Sequence, residues 1–260
     1  MNDYQFAGLT DPGKKRKHNE DAIAINANVG IAILADGMGG RNAGEVASAL
    51  AVTTTMNLLE TAMLDFTAKK DNQDSEKLAV ILQNTFITTH QTVARIASSQ
   101  PRYLGMGTTL IVLLIVNNTL AIAHVGDSRA YQFRENKLKQ ITTDHSVKSL
   151  FQQQASEEQP CQNNLITQAI GLDQPLDPQI ELHQAKTNDG YLLCSDGLTD
   201  CLTDTAIEAQ LREFGDQPNQ AVQQLIDAAN QAGARDNVSA IYYRHANQRR
   251  KWSDFIAQLW

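Results

Sequence analysis

Two rhythms of apolar residues divide the chain. Short, β-branched runs mark strands at Ala22–Ala27 and Ile31–Ala35, with Asn28-Val29-Gly30 between them reading as a turn. Two long stretches follow in which apolar residues recur every three to four positions, the spacing of one helix face. The first runs from Asn42 to about Met63 through Val46, Leu50, Met56 and Leu59. The second runs from Glu76 to about Ala97 through Leu78, Leu82, Phe86, Val93 and Ile96. The Lys-, Asp- and Gln-rich segment Asp65–Ser75 reads as the loop joining them. Strands return as pairs: Thr109–Val116 with Thr119–Val125 around Asn117-Asn118, Arg129–Arg134 with Lys137–Ile141 around Glu135-Asn136, and Ile180–Ala185 with Tyr191–Ser195 around Asn188-Asp189-Gly190. Asn at such turns tolerates positive φ, which suits a hairpin. The polar, Gln-rich stretch Ser146–Asn164 reads as a mobile flap. Helical patterns over about Asp204–Phe214 and Asn219–Ala232 precede a last strand, Val238–Arg244.

Strands in adjacent hairpins and helices in pairs favour antiparallel sheets with helices on their outer faces over a parallel βαβ sheet. No Pro- or Gly-rich linker and no repeat of solenoid length interrupts the pattern, so residues 1–244 are expected to form one domain. Beyond it, Trp252, Phe255, Ile256, Leu259 and Trp260 lie at helical spacing behind Arg249-Arg250-Lys251, predicting an amphipathic tail over 245–260. Such a tail packs on its own domain or docks on a partner or membrane surface.

Composition narrows the class. With 42% hydrophobic and 20% charged residues, the 260-residue chain suits a folded protein with a sizeable core. Lys and Arg number 22 against 29 Asp and Glu, a net charge of −7, which argues against a general nucleic-acid binder. The first residues lack the basic start and apolar core of a signal peptide. The longest apolar run, Leu110–Val116, falls far short of the roughly 18 residues a membrane span needs. A cytoplasmic protein without a membrane span is expected. Cys161, Cys194 and Cys201 match neither a paired disulfide framework nor a zinc template and read as reduced and structural.

The surplus carboxylates are not scattered. Three apolar strands run into an Asp: Ile31–Ala35 into Asp36-Gly37, Ala121–Gly126 into Asp127, and Tyr191–Ser195 into Asp196-Gly197. Asn19-Glu20-Asp21 and Arg235-Asp236-Asn237 flank two further strands. A carboxylate at the mouth of a buried strand is costly unless something pairs with it, and for several together a metal ion is the simplest partner. Gly after Asp lets a backbone carbonyl face the same ion. The candidates are all oxygen donors, which suits Mg²⁺ or Mn²⁺ better than Zn²⁺. Two such ions sharing a carboxylate suit phosphoryl hydrolysis. Arg16, four residues before Glu20, has the planar fork to clamp a phosphate. The run Lys14-Lys15-Arg16-Lys17 otherwise reads as a solvated basic patch.

Seven motifs in order resemble the metal-dependent protein phosphatases of the protein phosphatase 2C type, in their bacterial single-domain form. They are Arg16-x-x-Asn19-Glu20-Asp21-Ala22; Ala35-Asp36-Gly37-Met38-Gly39-Gly40 with Ala43-Gly44-Glu45-Val46-Ala47-Ser48; Gly107-Thr108-Thr109-Leu110; Ala123-His124-Val125-Gly126-Asp127-Ser128-Arg129-Ala130-Tyr131; Asp144-His145-Ser146; Leu193-Cys194-Ser195-Asp196-Gly197-Leu198-Thr199-Asp200; and Gly233-x-Arg235-Asp236-Asn237-Val238-Ser239. The resemblance implies an α+β fold, a four-layer α-β-β-α sandwich of two stacked antiparallel sheets flanked by helix pairs. It implies two Mg²⁺ or Mn²⁺ ions at one edge, bridged by Asp36, with the Gly37 carbonyl on one of them and Asp196 and Asp236 on the other. Glu20 would act through water, Asp21 would hold that water shell, and Asp127 would share a looser third ion with Asp196. Arg16 would hold the substrate phosphate, and Asn237 would support the ligands.

The implied function is hydrolysis of phosphoserine and phosphothreonine in proteins by a metal-bridging hydroxide, opposing a bacterial Ser/Thr kinase. A catalytically silent phosphoprotein binder and a small-molecule phosphohydrolase are the other readings. Two positions depart from the family pattern: Met38 stands where some members carry His, and Arg41 where many bacterial members do. That leaves a metal-bound water, His18 or His145 as candidate general acids.

Overall fold

The strands at the centre of the chain are apolar on both faces because both faces are covered. A computed structural model describes residues 4–39, 43–68, 74–147 and 165–245. Eleven strands form two antiparallel sheets. In the first, β1 (Gln5–Asp11), β11 (Val238–Arg244), β10 (Gly190–Cys194), β7 (Arg129–Arg134) and β8 (Lys137–Gln140) lie side by side in that order. In the second the order is β2 (Asp21–Asn26), β3 (Ile31–Met38), β5 (Leu110–Val116), β6 (Thr119–Val125) and β9 (Gln179–Gln184), and a two-residue β4 (Gly107–Thr108) pairs with the end of β3.

Side-chain alternation sorts each strand between two layers. Ile31, Ile33 and Ala35 of β3, with Leu110, Val112 and Leu114 of β5, pack outward under α1 (Ala43–Ala68) and α2 (Asp74–Ser99). Ala32, Leu34, Ile111 and Leu113 point inward, where they meet Tyr191, Leu193, Ile241 and Tyr243 of the first sheet. The outer face of that sheet carries Leu192, Cys194, Val238, Ala240 and Tyr242. They pack under α4 (Asp204–Phe214) and α5 (Pro218–Gln231), which follow a one-turn α3 (Asp196–Thr199). The result is the expected four-layer α-β-β-α sandwich. Burial on both faces explains why these strands read as unbroken apolar runs rather than alternating ones.

The hairpin turns behave as their residues predict. Asn117, Glu135, Asn136 and Asn188 all adopt positive φ. Asp189 is more than a turn residue: it is 2% exposed and takes a two-pronged ion pair from Arg134, at 2.7 and 2.6 Å.

Three expectations need correction. The first strand, β1, was not foreseen. It pairs along its whole length with β11, but only Ala7 of its seven residues is buried, so it carries no apolar signal. The segment 65–75 is not all loop. Helix continues to Ala68 and resumes at Asp74, because the stretch is polar yet holds no Gly or Pro to break it. Ser195 is not in β10 but caps α3, so Asp196 sits in a helical first turn. Most of the expected flap (148–164), Arg41, Cys161 and the tail 246–260 lie outside the described residues.

Candidate active site

The strand ends singled out by the sequence meet at one end of the sandwich. Asp21 and Asp36 are register partners on β2 and β3. Asp21 is 8% exposed, and its Oδ2 accepts from two hydroxyls across the sandwich, Ser195 just beyond β10 at 2.9 Å and Ser239 of β11 at 2.6 Å. Ser239 N–H donates to Ser195 Oγ at 3.0 Å, and Thr10 Oγ1 lies 2.7 Å from Ser239 Oγ, so the hydroxyls form a fixed cluster. Burial pushes the Asp21 carboxyl up to about 6, against the pull of Ser239 and Ser195.

Asp36 is held through its backbone. Its N–H donates to Thr109 Oγ1 at 2.9 Å, and its carbonyl accepts from Thr109 N–H at 2.9 Å and Thr108 Oγ1 at 2.8 Å. Thr109 Oγ1 in turn lies 2.8 Å from Ser128 Oγ, next to Asp127. Burial, the charges of Asp21 and Asp196, and a hydrogen bond to the Asp196 carboxyl all raise the Asp36 carboxyl well above the usual range. Burial, then Asp196, pushes Asp127 up to about 7; burial, then Asp200, pushes Asp196 up to about 6.

Gly37 follows Asp36 in a very narrow space. A Cβ there would lie 2.2 Å from the Gly44 carbonyl oxygen, and one on Gly44 would lie 2.8 Å from the Gly37 carbonyl. Only two glycines let the first turn of α1 press onto the end of β3. The Gly37 N–H donates to the Glu20 carbonyl at 3.0 Å. The carboxyl of Glu20 is raised by burial and lowered by Arg16.

Arg16 and Asp236 complete the rim, joined by an Nη2–Oδ2 ion pair of 2.7 Å. Asn237 ties these pieces together. Its Oδ1 accepts from Glu20 N–H at 2.8 Å, and its Nδ2 donates to the Pro12 and His18 carbonyls at 3.1 and 2.9 Å.

The donor set fits a hard cation. Oδ1 of Asp21 and Oδ1 of Asp196 are buried and have no hydrogen-bond partner. The acidic groups raise one another, which a positive charge between them would relieve. Among the described residues no three acidic, His or Cys side chains already close on one point. Asp236 is engaged by Arg16, and Asp21 Oδ2 by the two serines. Asp36, Asp127, Asp196 and Asp21 are therefore brought into mutual range, with Glu20 and Asp236 beside Arg16.

Of the two histidines named as acids, His18 is exposed on the rim. His145 is stacked on His124, with ring centroids 4.6 Å apart, and its Nδ1 faces the Gly126 N–H at 3.4 Å. Sequence reasoning placed Thr109, Ser128, Ser195, Ser239 and Gly44 in the motifs but gave them no role. Their signal was adjacency: Ser128 and Ser195 stand next to Asp127 and Asp196, Thr109 links β4 to β5, and Ser239 lies just inside the start of β11.

Comparison with known proteins supplies the rest. A family model described as "Protein phosphatase 2C" matches residues 13–239. The chain is 33% identical over 240 residues to a protein of Listeria monocytogenes named serine/threonine phosphatase stp, covering 89% of this chain and 92% of that one. It is also 33% identical over 245 residues to the serine/threonine protein phosphatase PstP of Mycobacterium tuberculosis, covering 91% of this chain but only 44% of the relative's length. A crystal structure of the PstP catalytic domain in complex with two manganese ions superposes with a TM-score of 0.81 at 31% identity, covering 94% of this chain and 99% of that one.

Proposed function

The chain belongs to the protein phosphatase 2C family, and from that premise we propose that it is a metal-dependent phosphatase acting on phosphoserine and phosphothreonine in proteins. The observation that carries this reading is the buried carboxylate cluster with unpartnered Asp21 and Asp196 oxygens, rimmed by one phosphate-sized guanidinium. The stp and PstP relatives are named as Ser/Thr phosphatases, and the aligned PstP structure holds manganese.

In this reading Asp36, the Gly37 carbonyl, Asp196 and Asp236 would hold two Mn²⁺ or Mg²⁺ ions, Glu20 and Asp21 would order the surrounding water, and Asp127 with Asp196 would serve a looser third ion. The ions, when bound, supply Lewis acidity that activates water and offsets charge developing on the phosphoryl group. The chain's own residues do the positioning. Arg16 exchanges Asp236 for the substrate phosphate, which its fork grips through two parallel hydrogen bonds. Asn237 holds Glu20 and the Arg16 loop at fixed separation, and the Ser195–Ser239 pair keeps Asp21 from turning away.

The catalytic unit is residues 1–244, working in the cytoplasm on phosphoproteins and opposing a Ser/Thr kinase. Among the described residues no helix is long and apolar enough to cross a membrane. The test is hydrolysis of phosphothreonine peptides and p-nitrophenyl phosphate with Mn²⁺ and with chelator. Turnover that needs Mn²⁺ and is lost in Asp36→Asn and Asp196→Asn is expected. Full turnover in chelator would sink the metal mechanism.

A further inference from the structure

The loop from Pro12 to His18 concentrates positive charge in a chain whose net charge is −7. It holds Lys14, Lys15, Arg16, Lys17 and His18 in succession, all exposed, and exposed Arg235 lies across from it. The loop is anchored at several points. The Asn237 side-chain amide donates to the Pro12 carbonyl at one end and the His18 carbonyl at the other. Lys14 N–H donates to the Ala234 carbonyl at 2.8 Å, and Gly13 N–H donates to Asp11 Oδ1 at 2.8 Å. Gly13, at φ +74°, lies so close that a Cβ would come within 2.1 Å of the Asp236 carbonyl oxygen. The loop therefore rests on 234–237, the segment that carries Asp236.

Within it the cations divide. Arg16 turns to Asp236 at the mouth of the site. Lys14, Lys15 and Lys17 pair with no carboxylate among the described residues. Lysines recruited only to balance the acidic cluster would be expected to contact it, as Arg16 does. These stand outside it, on backbone fixed before any ligand arrives.

We infer that Lys14, Lys15 and Lys17 form a docking rim for acidic residues flanking the phosphoserine or phosphothreonine of a protein substrate. This rests on the phosphatase reading above. The charge balance favours a short acidic peptide segment over a nucleic acid: three exposed cations match a few side chains, while the chain's net charge of −7 repels a longer polyanion. Each exposed charge contact changes binding by about twofold at low salt, so three together shift substrate preference by about tenfold. Screening over a Debye length of about 8 Å at physiological ionic strength makes the preference salt-sensitive.

The experiment compares kcat/KM for three phosphothreonine peptides that differ only in flanks (Asp/Glu, Ala/Gly or Lys), together with p-nitrophenyl phosphate, in the full chain with Mn²⁺. The acidic peptide is expected to exceed the neutral one by about tenfold at low salt, with the gap closing in about 0.5 M NaCl. Lys14→Gln/Lys15→Gln/Lys17→Gln should erase the gap and leave p-nitrophenyl phosphate turnover unchanged. Equal values for acidic and neutral peptides in the unmodified chain, or a gap that survives in the triple variant, would overturn the inference. Absence of all Mn²⁺-dependent turnover in the unmodified chain would instead overturn the phosphatase reading, and the inference with it.

Discussion

Arg16 donates to Asp236 across 220 positions of sequence, through a 2.7 Å ion pair at the mouth of the carboxylate cluster. The pair joins the proposed phosphate clamp to a proposed metal ligand, so each holds the other's place until a ligand arrives. Arg16→Ala should raise KM for a phosphothreonine peptide by about tenfold or more while kcat changes only severalfold, since the guanidinium grips phosphate in ground and transition states alike. Mn²⁺ affinity should not fall, because Asp236 loses a competitor. Steady-state kinetics with a Mn²⁺ titration separates the two effects; an equal loss in kcat would contradict this role.

Thr109 grips Asp36 from both sides of its peptide unit and touches Ser128 beside Asp127. Thr109→Val keeps the shape but strands the buried Asp36 N–H. Groups that orient metal ligands are worth about 10–100-fold in metal affinity or activity. Mn²⁺ binding by calorimetry should weaken by at least about tenfold in Thr109→Val and by much less in Thr109→Ser.

Ser239→Ala removes the shorter of the two hydrogen bonds to Asp21. Ser195 stays on the same oxygen, and losing one hydrogen bond to a charged group costs about 1.5–3 kcal/mol. Urea denaturation of the chelated protein at neutral pH should show a loss of that size. An unchanged midpoint would mean the cluster relaxes around the gap.

Buried carboxyls at Asp21, Asp127 and Asp196 are raised to about 6, 7 and 6, and Asp36 is raised well above the usual carboxylate range. The unfolded chain titrates near pH 4. Between about pH 4 and 7 the folded state thus holds protons that the unfolded state has released, and stability falls as pH rises. The melting temperature of the chelated protein should be higher at about pH 5 than at about pH 8. Mn²⁺ should reverse the trend by pairing with the ionised groups. A flat profile without metal would mean these carboxyls ionise freely.

A Cβ at Gly37 would strike the Gly44 carbonyl at 2.2 Å. Gly37→Ala should therefore abolish Mn²⁺-dependent turnover by forcing α1 away from the end of β3. The far-UV circular dichroism spectrum should change little, because the sheets do not depend on that contact.

The fold was legible where burial leaves a pattern. Both long helices and nine of the eleven strands were read from an apolar rhythm, but β4 is only two residues long, and β1 is an edge strand with one buried residue that looks like loop. The acidic residues of the site stood out because Asp after an apolar run is chemically odd. The hydroxyls of Thr109, Ser128, Ser195 and Ser239 did not, since a serine or threonine at a strand end is unremarkable until the opposite sheet is placed over it. The Arg16–Asp236 pair was equally hidden: each residue had a separate assignment, and no local pattern connects positions 220 apart.

The pairing of β1 with β11 also has a kinetic consequence. The first and last described strands are neighbours, and Asn237 near the end of the fold fixes the loop near its beginning. Contacts between such distant positions carry a large loop-closure cost and form slowly. During synthesis, Arg16 emerges long before Asp236 and Asn237, so the cluster cannot assemble until about the last strand has left the ribosome. Under the proposed function, a nascent chain that still lacks Asp236 would be inert towards phosphoproteins, and metal uptake would mark the closing of the first sheet.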